Sequence, residues 1–124
     1  MREHQIQKQI ADLLTWEIAP AGKLSPAGVL WFSVDHANYA GAAGARTGRG
    51  IVAGIPDMVV LYRGLAHFVE LKPDSRSARL SDPQQRFATA LLLNGSKFAA
   101  VRDATETLAA LDAWQLPRNK RVRL

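Results

Sequence analysis

Two carboxylates and a lysine lie close together in the middle of the chain. Asp57 precedes the apolar run 58–62, and Glu70 and Lys72 end a second run that begins at His67. Because successive side chains on a strand point to opposite faces, Glu70 and Lys72 share one face. Two converging carboxylates make an oxygen site suited to a divalent cation such as Mg²⁺, and a neighbouring lysine can orient or deprotonate the attacking water. This combination predicts phosphodiester hydrolysis.

The two apolar runs that carry these residues predict a β-hairpin with a turn at Arg63-Gly64. Asp57, at the start of the first strand, then reaches the end of the hairpin at which Glu70 and Lys72 lie. The alternative is an exposed edge strand whose charges prevent aggregation. Both runs are too apolar for an edge strand with one wet face, so the sequence favours the hairpin with a functional site.

The spacing of Asp57, Glu70 and Lys72 is the Asp…Glu-x-Lys pattern of the PD-(D/E)xK nuclease superfamily. With the segments 54–57 (Gly-Ile-Pro-Asp) and 80–84 (Leu-Ser-Asp-Pro-Gln), the chain resembles the VRR-NUC family more closely, in particular its small stand-alone members from phages and bacteria. The resemblance extends from Glu3 to about Trp114. It implies a restriction-endonuclease-like core and metal-dependent cleavage of DNA structures such as flaps and four-way junctions.

The resemblance also implies roles for individual residues. It implies a Mg²⁺ or Mn²⁺ site formed by Asp57, Glu70, the backbone carbonyl of Leu71, and Glu3. Lys72 would position the attacking water. Glu3 is followed four residues later by Gln7, as in the family pattern. Helical periodicity alone favours another interpretation of Glu3, a solvated first-turn residue stabilised by the helix dipole.

Gln84 has two competing explanations. Ser81, Pro83 and Gln84 predict a helix start with a capping box, which fully explains a glutamine at this position. The resemblance instead implies that Gln84 lies beside the catalytic strand and holds the lysine or a phosphate. We expect that one amide cannot do both at once, and we favour the catalytic role.

Several polar residues outside the hairpin are candidates for DNA contacts. A glycine-rich loop leads to Asp57, and its backbone N–H groups and arginines can approach phosphates, although a loop without a ligand is an equal alternative. The polar segment 73–79 suits a loop at the rim of the site. The pair at 36 and 38 resembles a polar pair found in the family. The predicted nucleic-acid-binding residues are His36, Asn38, Arg46, Arg49, Arg76 and Arg79.

The remaining pattern predicts an α/β fold with a mixed sheet of about four strands flanked by helices. Beyond the hairpin, the predicted elements are a helix over 3–16, a strand over 29–34, a helix from Ser81 to Asn94-Gly95, a strand over 97–102 and a helix from Asp103 to about Trp114. The order strand, helix, strand favours a last strand that joins the sheet in parallel, through a right-handed crossover.

Length and composition limit the other classes of protein. A chain of 124 residues makes one domain, with a nuclease domain over 1–117 and a basic tail over 118–124. It has no cysteine, which excludes disulfides and thiolate zinc sites. No apolar run approaches the ~20 residues of a membrane span, so we expect a cytoplasmic location and no membrane partner. The net charge of +5 is compatible with a polyanionic partner.

The predicted function is a Mg²⁺-dependent, structure-selective DNA endonuclease. A DNA-binding module that has lost hydrolysis is one alternative, but Asp57, Glu70 and Lys72 are all present. A sequence-specific restriction-type endonuclease is another, but 124 residues leave little room for a recognition subdomain. Symmetric cleavage of a branched DNA needs two related cuts, so we expect a homodimer. Trp16 and Trp114 are candidate interface residues, with ordinary core packing as the alternative.

Overall fold

The computed structural model of the chain describes residues 3–35, 48–72 and 79–119. Within these ranges it has an α/β fold, as predicted. The four strands are β1 (Val29–Ser33), β2 (Met58–Tyr62), β3 (Leu65–Leu71) and β4 (Lys97–Val101). The three helices are α1 (Glu3–Glu17), α2 (Asp82–Leu93) and α3 (Ala104–Ala113).

The strands form one mixed sheet in the order β1-β2-β3-β4. The first three strands pair antiparallel, whereas β4 pairs parallel to β3. This confirms the prediction that the last strand joins the sheet in parallel. The mixed sheet and its flanking helices are consistent with a restriction-endonuclease-like core.

The hairpin of β2 and β3 brings the predicted catalytic residues to one end of the sheet. Its turn residues Arg63 and Gly64 have φ angles of 50° and 78°. Positive φ at both positions is typical of the type I′ turn, whose twist matches that of the flanking strands. The turn sets a register in which Met58 pairs with Val69. Continued by one residue, this register places Asp57 across from Glu70.

One face of the sheet forms the main core with α1 and α3. The helical stripe of α1 is buried, as its periodicity predicts, and it meets apolar side chains of the central strands. The residues with no exposed surface include Ile10, Leu14, Val60, Val69 and Leu111. The opposite face of β3 carries Glu70, and there α2 lies against the sheet beside β4. The site is therefore built on the second face, backed by a rigid core.

The two tryptophans proposed for an interface differ in their surroundings. Trp16 is 66% exposed near the end of α1. Trp114 is half-buried, and its ring centroid lies 5.1 Å from that of the buried His67. Core packing therefore accounts for Trp114, whereas Trp16 remains a surface residue. Burial lowers the pKa of His67, whose Nδ1 lies 3.0 Å from the carbonyl oxygen of Val60.

The first two residues of the basic tail are attached to the end of α1. Arg118 forms ion pairs with Asp112 at 2.9 Å and with the buried Glu17 at 3.6 Å. The backbone N–H of Asn119 donates to the Glu17 carbonyl at 2.7 Å, and its side-chain amide donates to the Trp16 carbonyl at 2.8 Å. The two Asn119 bonds satisfy backbone acceptors that the end of α1 leaves open.

No helix in the described ranges has both the length and the apolar character needed to cross a membrane. The longest of them, α1, has 15 residues and an exposed polar face.

Candidate active site

Asp57 lies at one end of the sheet, directly before β2 and between the ends of the neighbouring strands β1 and β3. It is 7% exposed. Its Oδ2 accepts a hydrogen bond from the backbone N–H of Leu71 at 2.7 Å. Its own carbonyl accepts from the N–H of Val34 at 2.8 Å. Backbone contacts on both sides thus hold this carboxylate in place.

Glu70 places a second carboxylate beside the first, and this one is more deeply buried. Its residue exposure is only 3%. Oε1 accepts a hydrogen bond from Nε2 of Gln84 at 2.7 Å. Oε2 is buried and has no hydrogen-bond partner among the described residues. Because an unpaired buried carboxylate oxygen is costly, Glu70 needs either a proton or a cation at this position.

The pKa of Glu70 also indicates that this carboxylate requires a proton or a cation. Burial raises it from the ordinary 4.5, and the charge of Asp57 and a hydrogen bond to Asp57 raise it further, to about 8. The charge of Lys72 acts in the opposite direction. With this raised pKa, Glu70 holds a proton at neutral pH.

The side-chain amide of Gln84 connects the lysine, the glutamate and the helix start. Its Oε1 accepts from Nζ of Lys72 at 2.6 Å and from the backbone N–H of Ser81 at 2.9 Å. Its Nε2 donates to Glu70, and the capping box with Ser81 is complete. Our expectation that one amide cannot do both jobs was wrong, because a carbonyl oxygen has two lone pairs and the NH₂ group is a separate donor.

Gly54 allows the start of α2 to approach the strand that carries Asp57. Its φ is +89°, and a Cβ at this position would collide with the carbonyl oxygen of Pro83 and lie 2.5 Å from its carbon and 2.8 Å from the Gln84 nitrogen. Only glycine fits this contact. Gly54 belongs to the Gly-Ile-Pro-Asp motif at 54–57, but its packing role was not predicted from the sequence. The available signal was that the family resemblance involves both the segment 54–57, which contains Gly54, and the segment 80–84, which contains Pro83 and Gln84.

Glu3 lies next to the carboxylate pair on the first turn of α1. It is exposed, and its charge contributes to the raised pKa of Glu70. With Asp57 it lines an open pocket of about 590 Å³, whose other lining residues are His4, Gln7, Ser33, Val34 and Asp35. In the described part of the chain, no group of three or more His, Cys, Asp or Glu side chains has an arrangement that could hold a metal ion. The described residues thus provide a pair of carboxylates with Glu3 nearby.

The predicted DNA-contact residues are only partly described. Arg49 and Arg79 are both exposed, and Arg79 lies two residues before the Ser81 cap in the sequence. His36, Asn38, Arg46 and Arg76 lie outside the described residues. The structure thus brings together Asp57, Glu70, Leu71, Lys72 and Gln84, with Glu3 at the edge.

Comparisons with known proteins return no relative. No protein-family model matches the chain, and no curated protein or solved structure matches it.

Proposed function

We propose that this protein is a metal-dependent DNA nuclease of the PD-(D/E)xK type. The observation that carries the proposal is the hydrogen-bonded path from Lys72 through Gln84 to Glu70, next to an Asp57 held by the N–H of Leu71. A salt bridge on a solvated strand would not need a buried, unpaired carboxylate oxygen. In a hydrolytic metal site, an unpaired carboxylate oxygen is available to bind the cation.

The carboxylate pair suits Mg²⁺ or Mn²⁺. Asp57 and Glu70 would hold the ion, and the Leu71 carbonyl and Glu3 are the further contributors that the family likeness implies. The raised pKa of Glu70 and its unpartnered Oε2 fit this role, because a cation would replace the proton on Glu70. The chemistry that such an ion supplies is stabilisation of negative charge on the phosphoryl group and a lower pKa for the attacking water.

Lys72 is placed to orient that water. Its ammonium group has three N–H donors, and the bond to Gln84 uses one of them. Gln84 fixes the direction of the lysine side chain while it holds Glu70. The two remaining donors of Lys72 can then contact the water and a phosphate oxygen. Water attacks phosphorus and gives up one proton to solvent, the bond from phosphorus to the leaving oxygen breaks, and the leaving oxygen takes up one proton from solvent to become a hydroxyl.

The proposal includes the partners implied by the likeness to the VRR-NUC family. The substrate is DNA, with a preference for flaps, branched structures or four-way junctions. Arg79, exposed and two residues before the Ser81 cap, would provide a cationic contact for the DNA backbone. The protein would act in the cytoplasm as a homodimer, with Trp16 at the interface.

A cleavage panel tests the proposal. Labelled duplex, flap, splayed-arm and four-way junction DNA should be incubated with Mg²⁺, Mn²⁺ or EDTA, using the wild type, Lys72→Ala and a control, Lys23→Ala. Lys23 is an exposed lysine in the loop that follows α1. We expect the wild type and Lys23→Ala to cut only with a metal, and Lys72→Ala to be inactive. Binding without cleavage under every condition would instead identify a DNA-binding module. Cutting of duplex at one fixed sequence would identify a restriction-type enzyme.

The role of Glu3 needs a separate measurement. If Glu3 contributes to the metal site, Glu3→Gln should weaken Mn²⁺ binding in calorimetry with little change in melting temperature. A solvated first-turn carboxylate would affect stability by only ~0.3 to 1 kcal/mol and would leave metal affinity unchanged. Unchanged affinity would therefore remove Glu3 from the site.

A further inference from the structure

The open pocket beside Asp57 is separate from the Lys72–Gln84 side of the site. It is formed by the first two turns of α1, the end of β1 and the two residues after it, and it shares Asp57 and Glu3 with the proposed metal site. In the strand order, β1 lies on one side of Asp57 and the end of β3, with Lys72, on the other. Its volume of about 590 Å³ is within the roughly 300–1,000 Å³ of pockets that bind small ligands.

The lining of this pocket disfavours phosphate. Among the described residues that line it, none is Lys or Arg, and the polar ones are Glu3, His4, Gln7, Ser33, Asp35 and Asp57. Acidic side chains repel a phosphodiester, but they accept hydrogen bonds from N–H groups. The part of a DNA strand that suits this pocket is therefore a nucleoside and not its phosphate.

We propose that this pocket binds one unpaired nucleobase next to the scissile phosphate, through the amino group of the base. The proposal rests on the nuclease function proposed above. Cytosine, adenine and guanine carry amino donors that Asp, Glu and Gln side chains can accept, whereas thymine has no amino group. In a duplex these edges are paired and stacked, so a base can enter a side pocket only when it is out of the helix. The pocket thus gives a physical basis for selecting DNA with unpaired nucleotides.

Gln7 and Asp35 are the residues that best test this pocket. Both line it, and they come from different elements, the second turn of α1 and the segment after β1. Gln9 is a matched control, because it is the same residue type on the same helix, is exposed and does not line the pocket. The informative variants are Gln7→Ala, Asp35→Asn and Gln9→Ala.

The first experiment measures binding without metal or phosphate. The ¹⁵N-labelled full chain in EDTA should be titrated with deoxycytidine, deoxyadenosine or thymidine and followed by amide chemical shifts. We expect saturable shifts at Gln7, Ser33 and Val34 with the two amino-bearing nucleosides and much weaker shifts with thymidine. Gln7→Ala and Asp35→Asn should each weaken binding roughly threefold to tenfold, the effect of one hydrogen bond. Gln9→Ala should bind like the wild type.

Three results would overturn the proposal. The first is an absence of shifts in the pocket at nucleoside solubility. The second is an equal response to thymidine, or tighter binding of nucleoside monophosphates than of nucleosides in EDTA. The third is a Mn²⁺ titration in which Asp35→Asn removes a second cation site, because the acidic lining would then serve a metal and not a base.

A second experiment separates this proposal from the nuclease function. The wild type should cleave flap substrates with a single abasic position next to the cut more slowly than intact flaps. Gln7→Ala should cleave the abasic and the intact flaps at the same rate. If the wild type cleaves no DNA with any metal, the nuclease function fails, while the nucleoside titration still decides the pocket. If cleavage is normal but insensitive to the abasic position, the pocket proposal alone fails.

Discussion

Gln84 donates a hydrogen bond from Nε2 to Oε1 of Glu70 at 2.7 Å, across the boundary between the first turn of α2 and the end of β3. The same amide accepts from Lys72 at 2.6 Å. One side chain therefore contacts both Glu70 and Lys72, the two residues whose relative placement the proposed reaction requires. The start of α2 is thus part of the site as well as a helix cap.

Gln84→Ala should reduce cleavage strongly. It leaves Oε1 of Glu70 without its donor and releases Lys72, and such supporting contacts are typically worth roughly tenfold to hundredfold in activity or metal affinity. It should also lower the free energy of unfolding by about 1 to 3 kcal/mol, because a buried acceptor is left unpaired. Single-turnover cleavage and urea unfolding measure the two effects.

Two controls separate catalysis from capping. Gln85→Ala changes the same residue type one position along, where the side chain bonds only the exposed Leu80 carbonyl, and should be nearly silent. Ser81→Ala removes the hydroxyl that caps Gln84, and should cost about 1 kcal/mol of stability while activity is retained. If Ser81→Ala loses as much activity as Gln84→Ala, Gln84 acts through the helix cap alone.

Gly54→Ala should damage both stability and activity. The new Cβ would meet the backbone of Pro83 and Gln84, so the start of α2 must move away from the site. Gly28→Ala is a matched control, since Gly28 has the same φ of +89° but no atom near the added Cβ. The control measures the cost of the left-handed backbone alone, about 1 to 2 kcal/mol. Urea unfolding should show a clearly larger loss for Gly54→Ala, and equal losses would contradict the contact.

Local sequence patterns predicted most of the fold, whereas the site depended on contacts between distant segments. Two apolar runs separated by the Arg63-Gly64 turn predicted the hairpin, and the Ser81 capping box marked the start of α2. The burial of Glu70 and the fit of Gly54 against Pro83 could not be predicted this way, because they arise only when α2 lies on the sheet. The double role of Gln84 was missed because capping and contact with the lysine were treated as mutually exclusive for one amide.

The stability of the protein should depend on pH and metal through Glu70. Because its pKa in the folded protein is raised to about 8, the folded state holds a proton that the unfolded chain releases at a lower pH. Without metal, this stabilisation is fully present below the ordinary pKa of 4.5 and is lost as the pH rises through about 8. A bound cation replaces the proton, so the increase in Tm caused by Mg²⁺ should grow from about pH 6 to about pH 9.

Thermal unfolding across this pH range, with Mg²⁺ or EDTA, checks the prediction. Glu70→Gln should remove most of the pH dependence of the Mg²⁺ effect. Asp12→Asn, which alters an exposed carboxylate paired with Lys8, should leave it unchanged. A Mg²⁺ effect that is independent of pH in the wild type would show that Glu70 does not exchange its proton for the ion.

The protein should form a dimer through a surface that includes Trp16. This side chain is 66% exposed, and aromatic residues are enriched at interfaces. A C₂ dimer would supply two related cuts on a branched substrate. Light scattering over a concentration series should show a dimer for the wild type and dissociation for Trp16→Ala. A monomer at every working concentration, or cuts on one strand without a symmetry-related partner, would contradict this prediction.

The most direct test of the central claim is single-turnover cleavage of branched DNA by Lys72→Ala, with Mn²⁺ binding measured on the same preparation. Lys72 is proposed to position water and not to hold the ion. We therefore predict that Lys72→Ala binds Mn²⁺ but cleaves roughly 10²- to 10⁴-fold more slowly than the wild type. Asp57→Ala and Glu70→Ala should lose both properties. Full activity of Lys72→Ala, or cleavage by the wild type in EDTA, would contradict the assignment of this site.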